Sequence, residues 1–77
     1  MIIAFLLINA DASAEDKVVD ELRKVANVKE MYVTYGLYDI LAKVEAESLE
    51  KLEEIVASIR KLENVRSTLT ITAIQEV

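Results

Sequence analysis

From Met1 to Ile8 no polar side chain appears; the run Met-Ile-Ile-Ala-Phe-Leu-Leu-Ile is apolar at every position. A strand with one wet face alternates, so this pattern predicts a central strand over Ile2 to Ile8, covered on both sides. The period then changes. Ala14, Val18, Leu22 and Val25 recur at helical spacing with Val19 beside them, forming one apolar stripe. Ser13 offers an N-cap oxygen, and Asp16 three positions on completes a capping-box-like pair; Glu15 suits the positive helix end. Arg23 and Lys24 suit the negative end, and Asn27 suits the left-handed conformation that stops a helix.

Val28 to Tyr35 alternates and is rich in β-formers, so it reads as a strand. Gly36-Leu37 fits a two-residue hairpin turn of type II′, with glycine at its first central position. Tyr38 to Glu45 returns, with Ile40, Ala42 and Val44 on one face. Ser48 caps a second helix, whose stripe is Leu49, Leu52, Ile55 or Val56, Ile59 and Leu62. Asn64 closes it, and Val65 to Gln75 is the last strand. The two halves echo each other at an offset of 37 residues: Arg23-Lys24 recurs as Arg60-Lys61, and Asn27-Val28 as Asn64-Val65. Residues 1–77 thus form one α+β domain of βαββαβ order, a ferredoxin-like sandwich. Its four-stranded antiparallel sheet carries two helices on one face.

That architecture leaves a surplus. Ile2, Ala4, Leu6 and Ile8 occupy one side of the first strand, while Met1, Ile3, Phe5 and Leu7 occupy the other. The helices cover only one of these sides. Leaving several large apolar side chains in water forgoes several kcal/mol at about 25 cal/mol per Å². With Leu41 and Ile74 adding to the bare side, the expected remedy is a symmetric dimer pairing sheet against sheet.

Composition narrows the chemistry. The chain has 77 residues, 53% hydrophobic, with no Cys and no His. Disulfides, thiolate nucleophiles and the commonest general base and metal ligand are therefore absent. The single glycine excludes a Gly-rich phosphate loop. A net charge of −5 opposes direct binding to nucleic acid or an anionic membrane through a basic field. The opening apolar run lacks a basic flank and is far shorter than the roughly 20 residues a spanning helix needs. A cytoplasmic location is expected. Glu50, Glu53 and Glu54 lie on the polar side of the second helix, where a solvated face explains them better than a metal site. No catalytic residue, metal site or cofactor is expected, and no enzyme is supported.

The hairpin Tyr35-Gly36-Leu37-Tyr38-Asp39 holds the least ordinary residues. Asp39 sits where an aspartate is a poor strand former, and it can either satisfy its own turn or accept from a ligand ammonium. Turn amides offer donors to a carboxylate. Thr68, Thr70 and Thr72 alternate along the last strand, either as β-formers on a partly wet face or as hydroxyls lining a polar site.

The segment Val33-Thr34-Tyr35-Gly36-Leu37-Tyr38-Asp39-Ile40-Leu41-Ala42-Lys43-Val44 resembles the Thr-Gly-x-Tyr-Asp-aliphatic hairpin of Lrp/AsnC transcription regulators, with one residue inserted between Thr34 and Gly36. Ile59 to Thr70 looks like the same family's helix-to-last-strand segment. The resemblance is to the effector-binding (RAM) domain, in a stand-alone version without the helix-turn-helix module. It implies dimers through sheet faces, rings of dimers, an amino-acid effector and co-assembly with full-length regulators. It implies ligand-binding roles for Gly36, Leu37, Tyr38 and Asp39, and for Thr68 and Thr70. Three other uses of the fold compete: an ACT-like regulatory domain; a small dimeric α+β-barrel enzyme, whose cleft would need polar or His side chains; and an acylphosphatase-like or metal-chaperone use, whose Arg loop or paired Cys the Asn9-Ala10-Asp11-Ala12 loop lacks.

Overall fold

The computed structural model describes residues 1–77. The elements run β1 (Ile2–Ala10), α1 (Glu15–Leu22), β2 (Val28–Val33), β3 (Ile40–Ala46), α2 (Leu49–Arg60) and β4 (Val65–Ala73). All pairings are antiparallel and the strands lie in the order β2-β3-β1-β4. This is the expected ferredoxin-like βαββαβ fold, with β1 at the centre and β2 and β4 at the edges.

Alternation within β1 and β3 divides the sheet into two faces. Ala4, Leu6 and Ile8 of β1 and Ile40, Ala42 and Val44 of β3 are fully buried. Val18 and Leu22 of α1, and Leu52, Ile55, Val56 and Ile59 of α2, join them in one apolar cluster. Each fully buried Val, Leu or Ile side chain among them contributes about 1.5–3 kcal/mol. The helix stripes expected from spacing face the sheet at Val18, Leu22, Leu52, Ile55, Val56 and Ile59, whereas Leu49, expected in the α2 stripe, is 54% exposed because it sits in the first turn. No helix is long and apolar enough to cross a membrane.

The helix ends depart from expectation in one half. Ser48 caps α2 as predicted, its Oγ accepting from the Lys51 amide at 3.1 Å. Ser13 does not cap α1. It takes a left-handed backbone (φ 63°), and Ala14 occupies the cap position with no side-chain hydrogen bond. Helix α1 stops at Leu22, earlier than its stripe suggests, and Val25 instead packs beside the core from a turn. Asn64 adopts the left-handed conformation (φ 74°), whereas its counterpart Asn27 does not; Asn27 Nδ2 donates to the Glu45 carbonyl at 2.9 Å.

The hairpin differs in a similar way. A two-residue turn at Gly36-Leu37 would pair Val33 with Ile40 and Tyr32 with Leu41, and those residues do pair. The strands nevertheless part sooner, leaving a six-residue loop, Thr34 to Asp39, between β2 and β3. Gly36 has φ 137°, outside the type II′ range and in a region that L side chains rarely adopt.

Candidate functional site

The Thr34–Asp39 loop is closed at its base by two bonds. Thr34 N donates to the Asp39 carbonyl at 2.9 Å, and Thr34 Oγ1 donates to the Tyr38 carbonyl at 2.7 Å. Asp39 then fastens the loop to the central strand. Its amide donates to the Ile8 carbonyl at 3.0 Å, and its Oδ2 accepts from the Ala10 amide at 2.8 Å. The carboxylate therefore lengthens the β1–β3 ladder just where the β3 backbone bends away. Neither sequence reading of Asp39 anticipated this bond, which spans 29 positions. Oδ1 makes no hydrogen bond within the protein.

Above that base, the amides of Tyr35, Gly36, Leu37 and Tyr38 donate to no protein group. Tyr35 and Leu37 stand out into solvent, Leu37 at 90% exposure. Glycine is needed at position 36 for its torsion alone, because a Cβ there would meet nothing within 4 Å.

Two open depressions flank Asp39. One, of about 600 Å³, lies between the loop and the start of α1 and is lined by Glu15, Asp16, Val33, Thr34, Tyr35, Gly36 and Asp39. The other, of about 500 Å³, involves Asn9, Leu37, Arg66 and Ser67, and again Glu15 and Asp39. The uncapped start of α1 adds donors here: the Glu15, Asp16 and Lys17 amides find no partner in the protein. The expected Ser13 cap had hidden this feature, whose only sequence signal is the string of small residues Ala12-Ser13-Ala14. Cross-links knit the same end together. Asp11 N donates to the Asn64 carbonyl at 2.8 Å, Asn9 Nδ2 to Ser67 Oγ at 3.2 Å, and Arg66 Nε lies 3.9 Å from Asp11 Oδ1.

Of the six residues expected to bind a ligand, Gly36, Leu37 and Asp39 line these depressions, and Tyr38 holds the loop through its carbonyl. Thr68 and Thr70 are not gathered with them. Their cross-strand partners are Ile8 and Leu6, which places both threonines on the helix-covered side. Thr68 Oγ1 accepts from Arg60 Nε at 2.8 Å, and the Thr70 hydroxyl is buried without a partner beside a groove bordered by α2. Alternation alone could not say which side the stripe would take, because that depends on its register against β1.

The open face of the sheet is the second notable surface. Ile3, Phe5 and Leu7 of β1 meet Ala73, Ile71 and Leu69 of β4 across the ladder, with Leu41 of β3 opposite Leu7. Leu69 and Ile71 are 46% and 51% exposed. Toward the β2 edge the same face becomes charged. Lys43 Nζ lies 3.3 Å from Glu30 Oε2 and 3.9 Å from Glu45 Oε2, and Tyr32 Oη donates to Glu30 Oε1 at 2.7 Å. The Tyr32 hydrogen bond, followed by Lys43, holds the Glu30 carboxyl below its ordinary range. Donation to that carboxylate raises Tyr32 in turn.

Known proteins share this chain's sequence and shape. It is 34% identical over 70 residues to an uncharacterized HTH-type transcriptional regulator of Pyrococcus abyssi, covering 90% of this chain and 44% of the regulator. It is 40% identical over 68 residues to homocitrate synthase of Saccharolobus islandicus, covering 87% of this chain and 15% of the synthase. The chain thus spans less than half the length of these curated relatives. The crystal structure of hypothetical protein PHS023 from Pyrococcus horikoshii superposes with a TM-score of 0.91 at 39% identity, over 99% of this chain and 93% of that one. A family description, the Lrp/AsnC ligand binding domain, matches residues 3–77, which is the family the hairpin pointed to. The chain belongs to the Lrp/AsnC ligand binding domain family.

Proposed function

We propose that this chain senses an amino acid and assembles through its open sheet face, acting on larger partners without catalysing a reaction. The carrying observation is the Thr34–Asp39 loop, where four unpartnered amides stand beside a carboxylate with one oxygen tied down and one free. An amino acid's ammonium would meet Asp39 Oδ1, and its carboxylate would meet the amides around Gly36, with Leu37 and Tyr38 flanking it. Thr68 and Thr70, on the helix-covered side, would join such a site only from a neighbouring copy.

The curated relatives support a sensing role. One is an HTH-type regulator and the other a synthase, and what they share with this chain is a stretch of domain length. A module common to two different outputs is most simply their input. Family membership supports this reading over the ACT-like and α+β-barrel alternatives. In this reading the working form is a dimer through sheet faces, assembled further into rings of dimers. It resides in the cytoplasm and co-assembles with full-length regulators.

Thermal melts of the full chain against each of the twenty amino acids test the proposal. A ligand at a hundred times its Kd stabilises by about 2.7 kcal/mol. For a domain of this size that raises Tm by roughly 10–20 °C. Silence with all twenty, or an undiminished shift in Asp39→Ala, refutes the site.

A further inference from the structure

Resting on the sensing site just proposed, we infer that Thr34 is its positioning residue: without touching the guest, its hydroxyl sets the loop for binding. The loop has little else to hold it. Between Thr34 and Asp39 only Tyr38 is half-buried, while Tyr35 and Leu37 stand in water. The amides of residues 35–38 donate to nothing in the protein. What remains are two bonds from Thr34, to the Asp39 and Tyr38 carbonyls, and two that tie Asp39 to Ile8 and Ala10.

The hydroxyl bond acts on a single peptide unit. The Tyr38 carbonyl accepts from Thr34 Oγ1 at 2.7 Å, and the amide of the same unit, Asp39 N, donates to the Ile8 carbonyl at 3.0 Å. A peptide unit is planar, so holding its oxygen and its nitrogen fixes its tilt. That tilt governs two things a guest would meet. On one side it aims the Cα–Cβ bond of Asp39, and with it the carboxylate whose Oδ2 accepts from Ala10. On the other it limits the swing of the Tyr38 amide and, behind it, those of Leu37 and Gly36. For folding the hydroxyl is spare, because the bond from Thr34 N to the Asp39 carbonyl closes the loop by itself. The hydroxyl bond is also exposed, so water replaces it when it is lost. Binding is more demanding. A guest that grips both the carboxylate and the amides needs them in one arrangement, and a loop not yet arranged gives up conformational freedom as it binds.

Thr34→Val keeps the branched shape and removes the hydroxyl, and Thr34→Ser returns it. Thermal melts of the full chain, with calorimetric titration of each of the twenty amino acids, separate folding from binding. In Thr34→Val the unliganded Tm should move by no more than about 3 °C, as for an ordinary surface substitution. Every amino acid that binds the parent should bind this variant about fivefold more weakly, the worth of one hydrogen bond. Thr34→Ser should recover the parent affinity. NMR relaxation of unliganded Thr34→Val should show the Gly36 and Leu37 amides gaining motion. Unchanged affinity or unchanged loop motion in Thr34→Val, or a loss of affinity that Thr34→Ser does not repair, overturns the inference and leaves amino-acid sensing intact. A larger fall in Tm does the same, since it makes the hydroxyl part of the fold. Silence of the parent with all twenty amino acids overturns both.

Discussion

One strand, β1, has two sides built from the same kinds of residue that meet opposite fates. Leu6 and Ile8 face the helices and are fully buried, whereas Phe5 and Leu7 face away and stay partly in water. Nothing in their chemistry separates them. The difference lies in the cover: α1 and α2 pack on one side, and the other is bounded by Leu41, Leu69, Ile71 and the charged group at Glu30, Lys43 and Glu45. A strand's hydrophobic pattern alone therefore does not say which of its sides the rest of the chain will cover.

The largest expected effect breaks the covered side. Leu6→Ala should cost about 2–5 kcal/mol, because the rigid surroundings close only part of the cavity. In a melt this lowers Tm by roughly 8 °C or more. Next comes the open side. Ile71→Lys should leave the circular dichroism of the fold intact but reduce the mass measured by light scattering to that of one chain. Its Tm should also stop rising with protein concentration. Equal masses for the parent and the variant would remove the case for assembly through this face.

Much of this division was legible from residues alone. The unbroken apolar run in β1 marked an inner strand with apolar side chains on both faces, of which the helices cover one, and the repeat of Arg-Lys and Asn-Val supplied the two-fold plan. Glycine at 36 even set the correct pairing of Val33 with Ile40. Its turn type was misjudged, because Thr34 and Asp39 close the loop at a wider base. What stayed hidden depends on long-range geometry. The bond from Ala10 to Asp39 joins distant positions, and the side taken by Thr68 and Thr70 follows from register against Leu6 and Ile8. The Ser13 cap failed for a local reason, since its left-handed backbone carries it out of the capping geometry.

Smaller effects sharpen the contrast. The two helices that cover the sheet start differently, so removing the serine ahead of each should act unequally. Ser48→Ala should cost about 1 kcal/mol in a urea melt. Ser13→Gly should be neutral or slightly stabilising, by a few tenths of a kcal/mol, because glycine accepts positive φ without strain. The smallest effect concerns the charged part of the open face. Tyr32→Phe should move the Glu30 titration, followed by NMR, upward toward its ordinary value. The sign follows from linkage. A carboxyl depressed in the folded state contributes stability above its unfolded pKa, and the contribution fades as pH falls through the folded value. Glu30 is solvent-exposed, so the titration is the place to look for this change and a melt is not.

The way Asp39 grips Ala10 has a mechanical consequence. Ala10 ends one of the two inner strands, and the adjoining residues Asn9 and Asp11 hold the start of β4 and the connection leading into it through Ser67 and Asn64. Three stretches of backbone remote in sequence are thus pinned at a common knot, with one carboxylate as the peg. Only two short links along the chain separate that peg from the root of β4.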